Sequence, residues 1–543
     1  MAVEDAMHHP IQVTATHGFC DQSFHHPIDG RIEAASPSWQ VGGLPSKAPP
    51  MIRAALLLAA ILLPGAVAAQ TLRVAIASDP NVLDPAVSGA FVERVVFSAL
   101  CDKLIDVGPD LAFRPELATA WEWAADGLSL RLTLRRDGRF HDGTPLDAEA
   151  VRVNLERYRT ARESRRRSEL RPVSGIEVVD AGTLIIRLSE PFAPLLSVLS
   201  DRAGMIMSPT ALARLGERIG TEPVCSGPFR LTRRVAQDRI EMERVPEHWN
   251  AANIHIARLV FLAMPDSTVR LLNLRAGQVD VIERLAPSDL ADARRDRRLR
   301  VSEATSIAYQ TLSINTATGA LRDPRVREAL ERSIDRNIIN QVALEGLFIA
   351  NNQPEAPGTA YHFADLPPPP RDPARARALL RAAGHERFTF TLKVTNLPVE
   401  AQVAQIIQAM AAEGGFDIRI EQMESSAMVA ATQRGDYDAA IAIWSGRPDP
   451  DGNVAIWLAS DGFLNWGRYA SGAVDAALAA ARRSTDVATR RAQYRLAAEA
   501  WMADRPHLFL YQHRWFWGLR PGVEGLPPSP DGIIRFAGLR VPR

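Results

Sequence analysis

Residues 437–453 read Tyr-Asp-Ala-Ala-Ile-Ala-Ile-Trp-Ser-Gly-Arg-Pro-Asp-Pro-Asp-Gly-Asn, and this stretch constrains the architecture more than any other. The apolar run Ala439–Trp444 has the length and flanks of a buried strand. It stops at Ser445-Gly446, and Arg447, Asp449 and Asp451 follow among Pro448, Pro450 and Gly452. Open α/β sheets bind their ligands beyond the carboxyl ends of their strands. A loop placed there offers a flat apolar face in Trp444, a fixed cation in Arg447 and acceptors in Asp449 and Asp451. The competing reading is an ordinary turn in which Arg447 pairs with Asp449 or Asp451.

A chain of 543 residues exceeds one typical core, so two or three domains are expected. Lys+Arg and Asp+Glu both number 63, which argues against a nucleic-acid or membrane-surface partner recruited by bulk charge. The only lysines are Lys47, Lys103 and Lys393.

Residues 51–70 read as a secretory signal. Arg53 supplies the charged start, residues 54–63 the apolar centre, and Val67-Ala68-Ala69 small residues before cleavage at Gln70. The run is shorter than the roughly twenty apolar residues a transmembrane anchor needs. No Cys follows the cleavage point, so the expected product is soluble, periplasmic and free of a lipid anchor. Residues 1–50, with Cys20 and five of the twelve histidines, read as a non-native upstream extension, with translation expected to begin at Met51. The mature chain keeps Cys101 and Cys225, and an even pair in an oxidising compartment favours a Cys101–Cys225 disulfide over two buried thiols.

Thr71-Leu-Arg-Val-Ala-Ile-Ala reads as a first strand, and residues 91–104 carry helical spacing. Residues 128–134 and Arg139-Phe140 read as strands joined through Asp137-Gly138, a hairpin signal. Asp147 then reads as the N-cap of a helix.

At this point the chain resembles the substrate-binding proteins of peptide-type ABC importers, the extracytoplasmic solute-binding family 5. The resemblance rests on Leu117-Ala118…Trp121, Asp126-Gly127, Leu134-Arg135…Phe140-His141-Asp142-Gly143…Pro145 and Arg157. It continues through Pro223-Val-Cys-Ser-Gly-Pro-Phe229, where Cys225-Ser226 replaces the family's Gly-Thr. Leu274-Arg-Ala-Gly-Gln-Val-Asp-Val-Ile, Ile314-Asn-Thr316, Asp323-Pro-Arg-Val-Arg-Glu-Ala-Leu with Ile334-Asp-Arg336, and the helix-like stretch from Asp372 to Gly384 extend it. Each motif is weak alone; their agreement in order carries the resemblance.

The resemblance implies an α/β fold of the periplasmic binding protein type II-like kind, two lobes joined by hinge strands with an extra domain inserted in the first. Mapped here, lobe I takes residues 70–110, 222–306 and 512–543, the inserted domain 111–221, and lobe II 307–511. It also implies capture of a peptide or a peptide-like or anionic solute by hinge closure, no cofactor, and delivery to an ABC permease and its ATPase by a monomer that binds no nucleic acid and does not insert into the membrane after signal cleavage. The alternatives are a secreted hydrolase and a binder of a metal complex or haem.

Motifs of catalysis are missing: no G-x-S-x-G, P-loop, G-x-G-x-x-G or H-E-x-x-H occurs. His141-Asp142 reads as part of a turn. Asp449-Pro-Asp-Gly-Asn lacks the acidic spacing and closing Glu of a calcium loop. Residues 162–171 and 294–300 are basic runs without interleaved aromatics and read as solvated helix faces. Trp515 and Trp517 read as packing.

Peptide binders of the family present an Asp shortly after the Trp of this strand, to hold the ammonium. Aligned from Trp444, that position is Arg447. Dipeptide binders hold the carboxylate with an Arg in an upstream loop, and the matching residues 395–400 contain none. A guanidinium suits a carboxylate or phosphate. The expected ligand set is therefore Trp444 packing on the solute, Arg447 gripping an anionic group, and Asp449 or Asp451 orienting Arg447 or taking a donor. The competitor keeps peptides as ligands, with Asp449 moved into the role of the missing Asp.

Overall fold

The computed structural model describes residues 70–317 and 319–541. The expected upstream extension and signal segment lie outside these residues. In chain order the strands are β1 (Thr71–Ile76), β2 (Ile105–Val107), β3 (Phe113–Pro115), β4 (Ala118–Trp123), β5 (Ser129–Leu134), β6 (Val173–Asp180), β7 (Thr183–Leu188), β8 (Phe229–Val235) and β9 (Arg239–Arg244). They continue with β10 (Arg258–Ala263), β11 (Val281–Ile282), β12 (Arg300–Ile314), β13 (Ile349–Ala350), β14 (Phe388–Thr395), β15 (Phe416–Met423), β16 (Ala439–Trp444) and β17 (His507–Leu519).

One sheet runs in the order β15-β14-β16-β12-β17-β11-β1-β10-β9-β8, with β13 attached to β17. Parallel pairs sit at both ends: β1 beside β10 and β11, and β14 beside β15 and β16. Such pairs need long crossovers, here filled by helices. Between the two ends lie β12 and β17, long antiparallel partners. Arg300–Thr305 faces Arg514–Leu519, and Tyr309–Ser313 faces His507–Gln512, with register shifts between Thr305 and Tyr309 and between Gln310 and Thr311. Such irregularities bend a strand pair.

The local signals act as their chemistry requires. Asp147 caps the helix Ala148–Thr160, its Oδ1 accepting from the Ala150 N–H at 2.9 Å. Asp323 and Asp372 cap the helices Pro324–Ser333 and Pro373–Ala382, each with Pro at its first position. The helix expected over residues 91–104 ends at Leu100. The hairpin expected through Asp137-Gly138 does not form. β5 instead pairs with β4 and β7, and Arg139 makes only a single bridge to Pro145. The turn residues are present, but Arg139-Phe140 is too short a run to compete with β7 for the edge of β5.

A separate sheet, β4-β5-β7-β6, packs with the helix Ala148–Thr160 around Leu130, Leu132, Leu155 and Ile186. Trp515 and Trp517 are buried in the core beneath β1 and β10, with Val74, Phe229 and Phe261. Cys101 and Cys225 form a disulfide, joining the end of the helix Phe91–Leu100 to the Pro223–Phe229 turn.

Candidate functional site

Four strands end at one cavity. Ala77 and Ser78 follow β1, Glu283 and Arg284 follow β11, Thr395 closes β14, and residues 441–445 close β16; all of them line it. The cavity has a volume of about 130 Å³. The carboxyl ends of strands from both parallel sets therefore face a shared crevice, where α/β sheets place ligands.

One wall is apolar. Trp444 meets Trp457 edge-on, centroids 6.0 Å apart, and Trp457 meets Trp466 at 6.3 Å. Phe91, Met428 and Leu464 extend the surface. The opposite side is charged. Arg284 donates to Glu400 Oε1 at 2.6 Å. Arg284 follows β11, and Glu400 lies in the first turn of the helix Pro398–Glu413. The pair thus ties the two sides of the crevice together. Arg284 has a φ of +50°, a left-handed backbone that costs a non-glycine residue energy, so this turn is held by its surroundings.

Trp444, the residue expected to pack on the solute, lines this cavity. Its register partner is Tyr309 on β12, and its Nε1 donates to Asn453 at 3.2 Å. Gly446 then turns the chain with a φ of +80°, and a Cβ there would come within 2.4 Å of the Ile307 carbonyl oxygen. Only glycine fits this approach.

The turn aims Arg447 away from its neighbours in sequence. Its guanidinium lies 4.2 Å over the Trp444 ring and pairs with Asp201. Asp449 accepts from Arg490 at 2.7 and 2.8 Å, and Asp451 accepts from Arg482 at 2.6 Å. Neither the local turn nor the expected orientation of Arg447 by one of these acids is what the structure places here. The two aspartates anchor the loop to the helices Gly472–Arg482 and Val487–Asp504.

Asp201 was not visible as a site residue from sequence. It takes Arg94 Nε at 3.0 Å, has Arg202 at 3.8 Å and pairs with Arg447. Arg94 also donates to Ser445 at 2.6 Å. Burial alone would raise the Asp201 carboxyl, but the guanidiniums of Arg447, Arg94 and Arg202 hold it well below the usual carboxylate range. Burial and the neighbouring Arg94 push the Arg447 guanidinium down, opposed by Asp201. Arg94 and Arg202 are among the residues lining the strand-end cavity, whereas Arg447 lines, with Arg94, a neighbouring one.

A second cavity, of about 170 Å³, lies on the far side of Asp201. Its charged groups are already matched: Lys103 with Asp106 at 2.7 Å and Glu116 at 3.2 Å, Arg535 with Asp531 at 3.0 Å. His141 sits apart from both cavities' linings; its Nε2 is 3.0 Å from the Gly227 carbonyl, and burial pushes its imidazole down to about 4.

Comparison with known proteins identifies the family. The profile of Bacterial extracellular solute-binding proteins, family 5 Middle, matches residues 112–465. Glutathione-binding protein GsiB of Pectobacterium atrosepticum is 26% identical over 482 residues, covering 86% of this chain and 94% of that protein. GsiB of Salmonella choleraesuis is 28% identical over 484 residues, covering 87% and 94%. Among solved structures, DppA of Helicobacter pylori in complex with peptide STSA superposes with a TM-score of 0.81 at 24% identity, covering 87% of this chain and 98% of that one. AgaA of A. tumefaciens R10, in complex with agropinic acid, gives 0.82 at 22% identity, covering 87% and 99%. With more than half of its length matched by the profile, this chain belongs to the bacterial extracellular solute-binding proteins, family 5.

Proposed function

We propose that this chain captures a small peptide-like solute in the cavity at the strand ends, closes its two lobes around it, and delivers it to an ABC permease driven by a partner ATPase. The observation that carries the reading is the convergence of β1, β11, β14 and β16 on one cavity, bridged by Arg284 and Glu400. A solute that touches both sides contacts the closed form better than the open one, which is what drives closure. The naming of its curated relatives for glutathione supports a solute with peptide character. Trp444 packs on the body of the solute, Arg447 acts on its anionic end alongside Arg94 and Arg202, and Asp449 and Asp451 hold the loop that carries Arg447.

The segment 51–69 supports export to the periplasm, and no helix of the described residues is long and apolar enough to cross a membrane. The working form is a monomer without cofactor. Thermal melting with millimolar glutathione and mixed di- and tripeptides tests the reading. A solute at a hundred times its Kd adds about 2.7 kcal/mol, a rise of a few degrees. Peptide cleavage without any shift would instead make the chain a hydrolase. Arg447→Glu protein that binds undiminished would remove Arg447 from the site.

A further inference from the structure

Four buried polar atoms on the lining residues of the strand-end cavity have no hydrogen-bond partner among the described residues: Glu283 Oε2, Arg202 Nε, Thr395 Oγ1 and Trp457 Nε1. Buried polar groups are nearly always satisfied, because an unmade bond costs the desolvation of the group. Several such atoms around one crevice call for a partner that arrives with the solute.

Their chemistry differs from one side to the other. Glu283 Oε1 accepts from the Ala77 N–H at 2.8 Å, and nothing holds its second oxygen. The cations nearest to it are engaged elsewhere. Arg284 is committed to Glu400, and Arg270 donates to the carbonyls of Met264, Pro265, Glu283 and Arg284. Burial pushes the Glu283 carboxyl up, and the Ala77 N–H and these two guanidiniums offset that only in part. Arg270 and Arg284 therefore act on Glu283 through charge alone, and no cation is hydrogen-bonded to its second oxygen among the described residues.

Arg202 is in the opposite condition. Its Nη2 donates to the Ala90 carbonyl, and it shares Asp201 with Arg94 and Arg447. Glu93 accepts from the Gly89 and Ala90 N–H groups and its charge also acts on Arg202, while Glu169 pairs with Arg166. Arg94, Arg202, Arg447 and Arg166 set against Asp201, Glu93 and Glu169 leave positive charge in excess beside the cavity.

We infer that the solute is a zwitterion, with its ammonium received by Glu283 and its carboxylate by Arg202. This inference rests on the strand-end cavity being the solute site. Thr395 and Trp457 supply donors for an uncharged acceptor between the two ends, such as an amide carbonyl. The assignment accounts for the loss of an Asp at position 447, because the ammonium is received on the other lobe, after β11.

Two matched libraries test it: di- and tripeptides with free termini, and the same peptides with acetylated amino termini. Each is equilibrated with the full-length protein, and the retained peptides are read by mass spectrometry. The wild-type protein is expected to retain free-amine peptides at least tenfold over acetylated ones. Glu283→Gln should lose that discrimination, whereas Thr395→Val should lower retention of both libraries alike. Equal retention of both libraries by the wild type, or unchanged discrimination in Glu283→Gln, overturns the role of Glu283 and leaves the cavity reading standing. Retention from neither library overturns the cavity as a peptide-like site, and this inference with it. Should Glu283→Gln fail to fold, discrimination by the wild type against a third library with amidated carboxyl termini decides the zwitterion: at least tenfold preference for free carboxylates supports it, and none overturns it.

Discussion

Arg447 and Asp201, 6% and 8% exposed in their side chains, form an ion pair between the loop after β16 and a segment preceding the turn Arg202–Gly204. Asp201 also serves Arg94 and Arg202, so one carboxylate is shared by three guanidiniums. The two residues of the pair are therefore unequal. Asp201→Asn takes from all three guanidiniums the carboxylate they share, and breaking a buried pair in this way costs about 3–5 kcal/mol. Arg447→Met leaves Asp201 with two cations and should cost far less. Urea unfolding of both proteins checks the order, and Asp201→Asn protein as stable as the wild type would contradict it.

A second pair bridges the crevice, and the proposed closure would draw on it. Arg284 and Glu400 meet at 2.6 Å across the crevice, and the Glu400 side chain is nearly buried there. Glu400→Gln keeps the shape and weakens the charge-assisted bond. The closed form should lose about 1 kcal/mol relative to the open one, the margin typical of such a bond. Small-angle scattering should show a larger radius of gyration for the unliganded variant, and solute affinity should fall several-fold. An unchanged radius would mean that the pair does not hold the lobes.

The disulfide between Cys101 and Cys225 spans 124 residues of sequence. Cross-links over long loops stabilise mainly by restricting the unfolded chain, typically by about 2–4 kcal/mol. Replacing both cysteines by serine should lower the unfolding free energy by that amount. Reductant should destabilise the wild type to the same extent and leave the double variant unmoved.

Glu355 provides a pH test. Its Oε1 accepts from Asn453 at 2.9 Å, and burial pushes its carboxyl up from 4.5 to about 7, with Asp449 adding to the rise. The folded chain binds this proton more tightly than the unfolded one. The favourable contribution is therefore complete below 4.5 and is lost as pH rises through 7. Glu355→Gln keeps the acceptor and removes the titration. Its melting temperature should exceed that of the wild type at pH 8 by more than at pH 5. A gap that narrows as pH rises would contradict this.

Much of the fold could be read from local chemistry. The strand Ala439–Trp444 and the Asp caps at 147, 323 and 372 carry their own signals within a few residues. That Trp444 would face the strand ends was legible because it ends a buried strand, and it lines the cavity there. What escaped was the partnering of charges. Arg94 and Asp201 lie 107 residues apart, and Arg94 and Ser445 lie 351 apart. No spacing rule reaches so far, and in a chain this rich in Arg and Asp every local pairing looks equally good. Glu283 was passed over for a related reason: its neighbours Arg284 and Glu400 come together only when the two sides of the crevice do.

The most direct test of the account is native mass spectrometry of protein purified gently from the exporting cell, followed by identification of whatever it releases. The account predicts one small solute per chain, carrying both an amine and a carboxylate, released on denaturation and regained on incubation with a periplasmic extract. A released metal complex or haem, or a chain that gains no mass from the extract, would contradict it.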